Sequence, residues 1–327
     1  MANIVEHKGL SLVFGDVVLG VHGTGFDYLF SYQTGGPESL VIDGKEWLYR
    51  TPKPTFWRAA TDNDKGCGFP FRSAMWMGAD LYMKTEKIQI MVDGTNVEPF
   101  RAPVNNRFVS AVAAGEVTIL YTYRTATEPS TCVDVRYTVD GSGKIRVDVH
   151  YYGKKGLPEL PVFGMRFIMP TKAVGYTYQG LSGETYPDRM AGGEKGVYEV
   201  EGLPMTPYLV PQECGMHMET EWLQVTRDRV LANERKRDRE PFTLTFGNTG
   251  KAFAFSCLPY TAEELENATH QEELPPARRT VACILGAVRG VGGIDSWGTD
   301  VEEPWHIDAE KDIEYGFWMG PGMQENQ

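Results

Sequence analysis

Residues 133–151 read VDVRYTVDGSGKIRVDVHY. Side chains of an extended strand point alternately to opposite sides, so Val133, Val135, Tyr137 and Val139 share one face. Asp140-Gly141-Ser142-Gly143 supplies turn residues, and Ile145, Val147, Val149 and Tyr151 resume the alternation. This pattern predicts a β-hairpin with one buried face.

The same period recurs on both sides of it. Residues 40–47 predict a second hairpin around Asp43-Gly44, a dipeptide suited to a tight turn with positive φ. Further strands are expected over 10–20, 24–33, 106–112, 116–125, 162–168, 216–226, 242–247, 251–257, 281–288 and 311–319. Helical signals are few. Thr261 and Glu264 stand at capping-box spacing and open a short helix to about His270. Residues 73–84 are a second helical candidate, with Met75, Leu81 and Met83 as its apolar members. Strands and helices do not alternate, which argues against a parallel α/β barrel. Many evenly spaced strands point to an all-β protein of two large packed antiparallel sheets. The 36 glycines and 20 prolines are spread as turn punctuation and mark no linker. Residues 1–327 are therefore expected to form one domain.

Composition narrows the function classes. At 42% hydrophobic and 23% charged residues, the chain has ordinary soluble globular composition. A net charge of −12 repels phosphate backbones and anionic lipid, so neither nucleic acid nor membrane is an expected partner. The basic run 227–239, RDRVLANERKRDR, is interrupted by acids and reads as a solvated loop or hairpin. The opening MANIVEHKG has no apolar h-region, so no signal peptide is expected. The longest apolar run, 281–288, is too short to span a bilayer. Five scattered cysteines without a CxxC pair suit free thiols in a reducing cytoplasm rather than a disulfide framework or a zinc site.

Several segments break the alternation. The first is FWRAATDNDKG, residues 56–66. Asp62-Asn63-Asp64 and Gly66 look like the start of a calcium loop, but no Glu closes it at the required distance. An Asx-rich turn is the other reading. The second, GLSGETYPDR at 180–189, places a rigid turn at Pro187 beside Arg189 and reads as structural, and TPYLVPQECG at 206–215 is similar in character. The third is GVGGIDSWG at 290–298. Its glycines do not meet phosphate-loop spacing, but they let a loop approach another surface closely. Trp297, between Ser296 and Gly298, offers a flat apolar face with an N–H at its edge. Such a face suits the C–H face of a pyranose as well as ordinary packing.

In this order and at these spacings, the four motifs resemble the C-terminal domain of glycoside hydrolase family 2 β-galactosidases, over essentially the whole chain. With none of the other domains present, the chain resembles the small subunit of heteromeric β-galactosidases. The resemblance implies a large antiparallel β-supersandwich similar to galactose mutarotases. It implies that Trp297 lines the galactose and aglycone site, with Asp295 and Ser296 on the same loop. Asp62, Asn63 and Asp64 match the segment leading into that site, and Gly66 matches the hinge of a mobile loop. Tyr186, Asp188 and Arg189 match a motif taken as structural. The sequence departs from the family in reading RAA where RAP is common, Cys214 where Asn is usual, and Ile294 where an acid often stands.

Retaining glycosidases use two carboxylates roughly 5 Å apart. The family carries both on a TIM-barrel large subunit, so no catalytic residue is assigned here and the isolated chain is expected to be inactive. The implied role is to complete the site for terminal β-D-galactosides such as lactose, by positioning and water exclusion. The implied partners are the large subunit and the galactoside. Mg²⁺ and Na⁺ are expected in the assembled enzyme, held mainly by its other domains, so no cofactor or metal ligand is assigned to this chain. Two rivals are an aldose 1-epimerase (mutarotase)-like enzyme and a stand-alone carbohydrate-binding module. The first needs a histidine and a carboxylate facing one pocket. His7, His22, His150, His217, His270 and His306 are the candidates, and His150 and His217 fall on expected strands. The aromatics of residues 69–76 are expected either in a partner surface or in the core.

Overall fold

The 133–151 hairpin forms the centre of the largest sheet in the computed structural model, which describes residues 9–97, 111–231 and 240–321. Cys132–Asp140 pairs with Ile145–Tyr151 in antiparallel register, Tyr137 opposite Val147. Its turn closes with the Gly143 N–H donating to the Asp140 carbonyl at 3.0 Å. On one side the sheet continues through Glu116–Arg124, Lys84–Val92 and Thr95–Asn96. On the other it runs through Ile313–Pro321, Phe242–Asn248, Trp222–Arg227, Gly175–Leu181 and Lys195–Glu201, giving ten strands.

Two smaller antiparallel sheets cover one face of it. One joins Lys45–Glu46, Gly36–Ile42, Phe26–Ser31, Val18–Gly23, Leu10–Phe14 and Val112–Ala114; the other joins Met216–Thr220, Phe253–Leu258, Thr280–Val288, Val162–Met169 and Lys53–Thr55. Aromatic contacts tie each to the large sheet. Phe30 meets Tyr137 at 5.7 Å between ring centres, Tyr151 meets Phe163 at 5.3 Å, and Phe167 lies 5.2 Å from Phe246 and 6.0 Å from Phe317. A single apolar core cluster therefore includes residues of all three sheets. The expected all-β, antiparallel sandwich is what forms, with one of its two layers divided into two sheets.

Several details differ from the sequence reading. The helix expected over 73–84 is absent. A short helix, Phe69–Ser73, and one 3₁₀ turn, Ala74–Trp76, precede a turn, and the chain is already a strand from Lys84. Helical geometry ends at Met77, which is extended at ψ 116°, and Gly78 with φ 73° then turns the chain. Residues 10–20 split into a hairpin, Leu10–Phe14 with Val18–Gly23. Residues 216–226 split into two strands in different sheets. The Thr261 helix spans only Ala262–Asn267, with its capping box intact. The Asp43-Gly44 turn is present, with φ 47° and 72°, the mirror-image geometry that suits strand twist. Residues 106–110 of one expected strand, His7, the chain start and residues 232–239 of the basic run lie outside the described residues. All five cysteines are free. No helix among the described residues is long and apolar enough to cross a membrane.

Phe167 is fully buried between the sheets. Truncation to Ala leaves a cavity there, and Phe167→Ala is expected to cost about 3–5 kcal/mol in urea denaturation. Val197→Thr, on an exposed edge strand, is expected to stay within about 0.5 kcal/mol of wild type.

Candidate functional site

Loops between strands must find hydrogen-bond partners outside a ladder. In the DND segment the chain solves this with a one-turn helix, Asp62–Gly66, capped reciprocally by Thr61 and Asp64. Thr61-Asp-Asn-Asp64 has the spacing of a capping box, a signal the sequence carried and the calcium-loop reading obscured. Asp64 is buried. Its Oδ2 accepts from Arg58 Nη1 at 2.7 Å, and its Oδ1 accepts from Arg289 Nη1 at 2.9 Å. Arg289 in turn donates to Glu159 through Nε at 2.6 Å and to Asp300, while its guanidinium covers the Phe69 ring at 3.8 Å. His306 holds the same Glu159 carboxylate through Nδ1 at 2.8 Å. Arg72 reaches Asp300 from outside.

This ion network seats the glycine loop 290–298. Arg58 Nη2 donates to the Gly290 carbonyl at 2.9 Å, and Asn63 Nδ2 donates to the Val291 carbonyl at 3.0 Å. From the opposite side, the Asp188 carboxylate accepts the Val291 and Gly292 N–H groups at 3.0 and 2.8 Å, and Arg189 donates to the Gly292 carbonyl. Gly66 and Gly298 meet backbone to backbone. A Cβ on Gly298, which has φ 81°, would lie 2.7 Å from the Gly66 carbonyl oxygen. Three of the motifs singled out in the sequence are thus contiguous. The fourth touches them through Gln212, whose Oε1 accepts from the Asp62 N–H at 3.0 Å.

The expected site residues separate into two groups. Asp62, Asn63, Asp295, Ser296 and Trp297 are on the surface. Asp64 is not: it is the buried counter-ion beneath them, because two arginines claim its oxygens. Trp297 projects outward at 92% exposure. Asp295 shapes its turn. It accepts from the Thr299 hydroxyl at 2.6 Å and the Trp297 N–H at 2.9 Å, and these bonds hold its carboxyl below the usual range. Gly66 closes its helix; the left-handed residue nearby is Gly68, with φ 73°. Tyr186 is buried against the small sheet. Arg58, Arg289, Gln212, Glu213 and Asp300 are further members that the sequence reading missed.

Glu213 is buried beside this network. Burial pushes its carboxyl up to about 8, with Arg58 opposing and Glu184 and Asp64 adding. Elsewhere, His217 packs on Phe255 at 4.6 Å and meets the Tyr176 hydroxyl at 3.0 Å, and burial takes it down to about 4. It is a neutral core histidine. His150 bonds Asp312 at 2.9 Å on the solvated side of the large sheet. Among the described residues, no group of three or more His, Cys, Asp or Glu is placed to hold a metal ion.

Two measurements check this electrostatic reading. Asp64→Asn takes from buried Arg58 its ion-pair partner and from Arg289 one of three, and is expected to cost about 3–5 kcal/mol of stability, against under about 1 kcal/mol for Asp62→Asn. Between the ordinary carboxylate range and about pH 8, the folded chain keeps the Glu213 proton that the unfolded chain has lost, so this group's contribution falls as pH rises. From pH 5 to 8 the melting temperature of wild type should fall relative to that of Glu213→Gln, the rising contribution of His217 below about pH 6.5 being common to both.

A family described as the β-galactosidase small chain matches residues 22–319. A β-galactosidase small subunit from Latilactobacillus sakei is 60% identical over 317 residues, which is 97% of this chain and 99% of that protein. β-Galactosidase BgaC from Bifidobacterium adolescentis is 36% identical over 298 residues, covering 90% of this chain and 26% of its own length. A β-galactosidase from Streptococcus thermophilus is 32% identical over 314 residues, covering 95% and 28%. The chain spans about a quarter of these two longer relatives. Among solved structures, a putative aldose 1-epimerase from Escherichia coli K12 aligns at a TM-score of 0.44 and 10% identity, over 92% of this chain and 97% of that one. The chain belongs to the β-galactosidase small-chain family.

Proposed function

We propose that this chain is the non-catalytic small subunit of a β-galactosidase, and that it completes the galactoside site of a TIM-barrel large subunit. The observation that carries the reading is Trp297. Its indole stands almost wholly exposed on a loop that Arg58, Asn63, Asp188 and Arg189 brace from beneath. An apolar ring held out on a braced loop is suited to stack on the C–H face of a sugar that another surface presents. Asn63, bonded to the Val291 carbonyl at the base of the same loop, and its exposed neighbour Asp62 supply polar edges toward hydroxyl groups. Asp295, bonded to the Trp297 N–H and to Thr299, sets the turn that aims the ring, with Ser296 exposed beside it.

The reacting carboxylates belong to the large subunit in this reading, as do the Mg²⁺ and Na⁺ of the assembled enzyme. The small chain contributes orientation and exclusion of water, which act on a reaction without a proton transfer of its own. Its substrate is a terminal β-D-galactoside such as lactose, and its place of work is the cytoplasm.

The test is to assay a chromogenic β-galactoside with the small chain alone, the large subunit alone, and both together. Full activity is expected only for the pair. In that complex Trp297→Ala should lower kcat/KM about tenfold, equivalent to about 1.4 kcal/mol, with assembly unchanged by size-exclusion chromatography. Hydrolysis by the small chain alone, or an unchanged kcat/KM in the variant, overturns the proposal.

A further inference from the structure

Resting on the subunit reading, we infer that residues 69–82, together with Tyr49, form the surface on which the large subunit docks. The segment is fastened to the core by every third or fourth residue. Phe69 and Trp76 are buried, Trp76 Nε1 donates to the Pro158 carbonyl at 2.8 Å, and Ser73 Oγ donates to the Glu159 carbonyl at 2.8 Å. Anchored so, it turns its other apolar side chains outward. Phe71 is 88% exposed, Tyr82 72% and Leu81 61%, with Met75, Met77 and Tyr49 also exposed. Single exposed apolar residues are ordinary, but five within twelve residues on a pinned segment mark a binding surface.

Its rim fixes the chemistry of the partner. Leu81 lines a cleft of about 450 Å³ with Arg50, Arg278 and Arg279, in which Glu263 is already paired with Arg166 and Glu264 is held in the Thr261 cap. Arg279 lies over the Tyr49 ring at 3.7 Å, and Arg50 lies 5.9 Å from the same ring. Neither arginine has an ion-pair partner among the described residues, in a chain whose net charge is −12. Tyr, Arg and Met are the residues that interface centres favour. The facing surface is therefore apolar with acidic edges.

The occupant is the remainder of a β-galactosidase. In the longer relatives from Bifidobacterium and Streptococcus the matching region is 26% and 28% of one chain, and the rest of the polypeptide stays joined to it. The Latilactobacillus small subunit is matched over 99% of its length, so there the same region is a separate chain. The surface also adjoins the sugar-loop framework. Arg72, within the segment, donates to the Cys67 carbonyl at 2.5 Å and pairs with Asp300, which Arg289 also holds. Docking at 69–82 thus places Trp297 against the partner.

The test uses the whole small chain mixed with the β-galactosidase large subunit, with binding measured by biolayer interferometry. Leu81→Asp combined with Tyr82→Asp is expected to weaken association at least about tenfold, while Val197→Asp on the exposed far edge of the large sheet leaves it unchanged. Circular dichroism melts of each small chain alone should coincide with wild type. Association of the double variant at wild-type strength overturns the surface and leaves the subunit reading standing. Loss of self-association of the free chain, without loss of large-subunit binding, also overturns it and makes a second copy the occupant. Failure of wild type to bind the large subunit sinks the subunit reading and this surface with it.

Discussion

One carboxylate shared by two buried arginines organises the loop cluster at one end of this protein. Removing three charges from water is costly unless each is paired and hydrogen-bonded, and Asp64 meets that condition with both oxygens. Its partners, residues 58 and 289, are far apart in the chain and follow two strands that flank Val162–Met169 in one sheet, so the pairing joins the loops beyond the ends of that sheet. Glu159, Asp300 and His306 extend the pattern to further segments. The loops are therefore located by directional, charged contacts. Apolar packing alone would hold them with less angular definition, whereas a bidentate guanidinium fixes distance and plane together.

The fold was largely legible because its central strands bury one face and solvate the other. Strict alternation in 133–151 survives into the structure with the same residues inside. Legibility fails where that contrast weakens. Lys84–Val92 reads KTEKIQIMV, whose charged first half conceals its period, and the preceding methionines and Leu81 imitate a helical stripe. Of that stripe Met75 and Leu81 point away from the core, and Met83 packs against it. Gly175–Leu181 and Lys195–Glu201 also went unread, the first because glycines interrupt it and the second because it is an edge strand of lysine, glycine and glutamate with little apolar content. The division of the second layer into two sheets depends on long-range pairing, which local pattern does not encode.

At the candidate site, the neighbourhood was more legible than the roles. Four motifs were marked for breaking the strand pattern, and they converge in space. Yet Asp62 and Asp64 look alike in a DND triplet. Only the capping-box spacing back to Thr61 distinguishes the one that turns inward. Arg289 lies at the end of an apolar strand, and nothing near it in sequence announces a counter-ion. Glu213 reads as an ordinary acid until its surroundings are known, since the burial that raises its proton affinity, and the charges that modify it, come from other loops.

The touching backbones of Gly66 and Gly298 carry a last consequence. A methyl group on Gly298 would fall 2.7 Å from the Gly66 carbonyl oxygen, whereas one on Gly66 would sit 3.4 Å from the Gly298 Cα, at the edge of ordinary contact. A substitution at Gly298 displaces both loops, and a change at Gly66 then meets a spacing already altered. The two sites should therefore behave as a single heritable unit, with penalties that do not sum. Sequence drift at one of them is barred by a residue more than two hundred positions away.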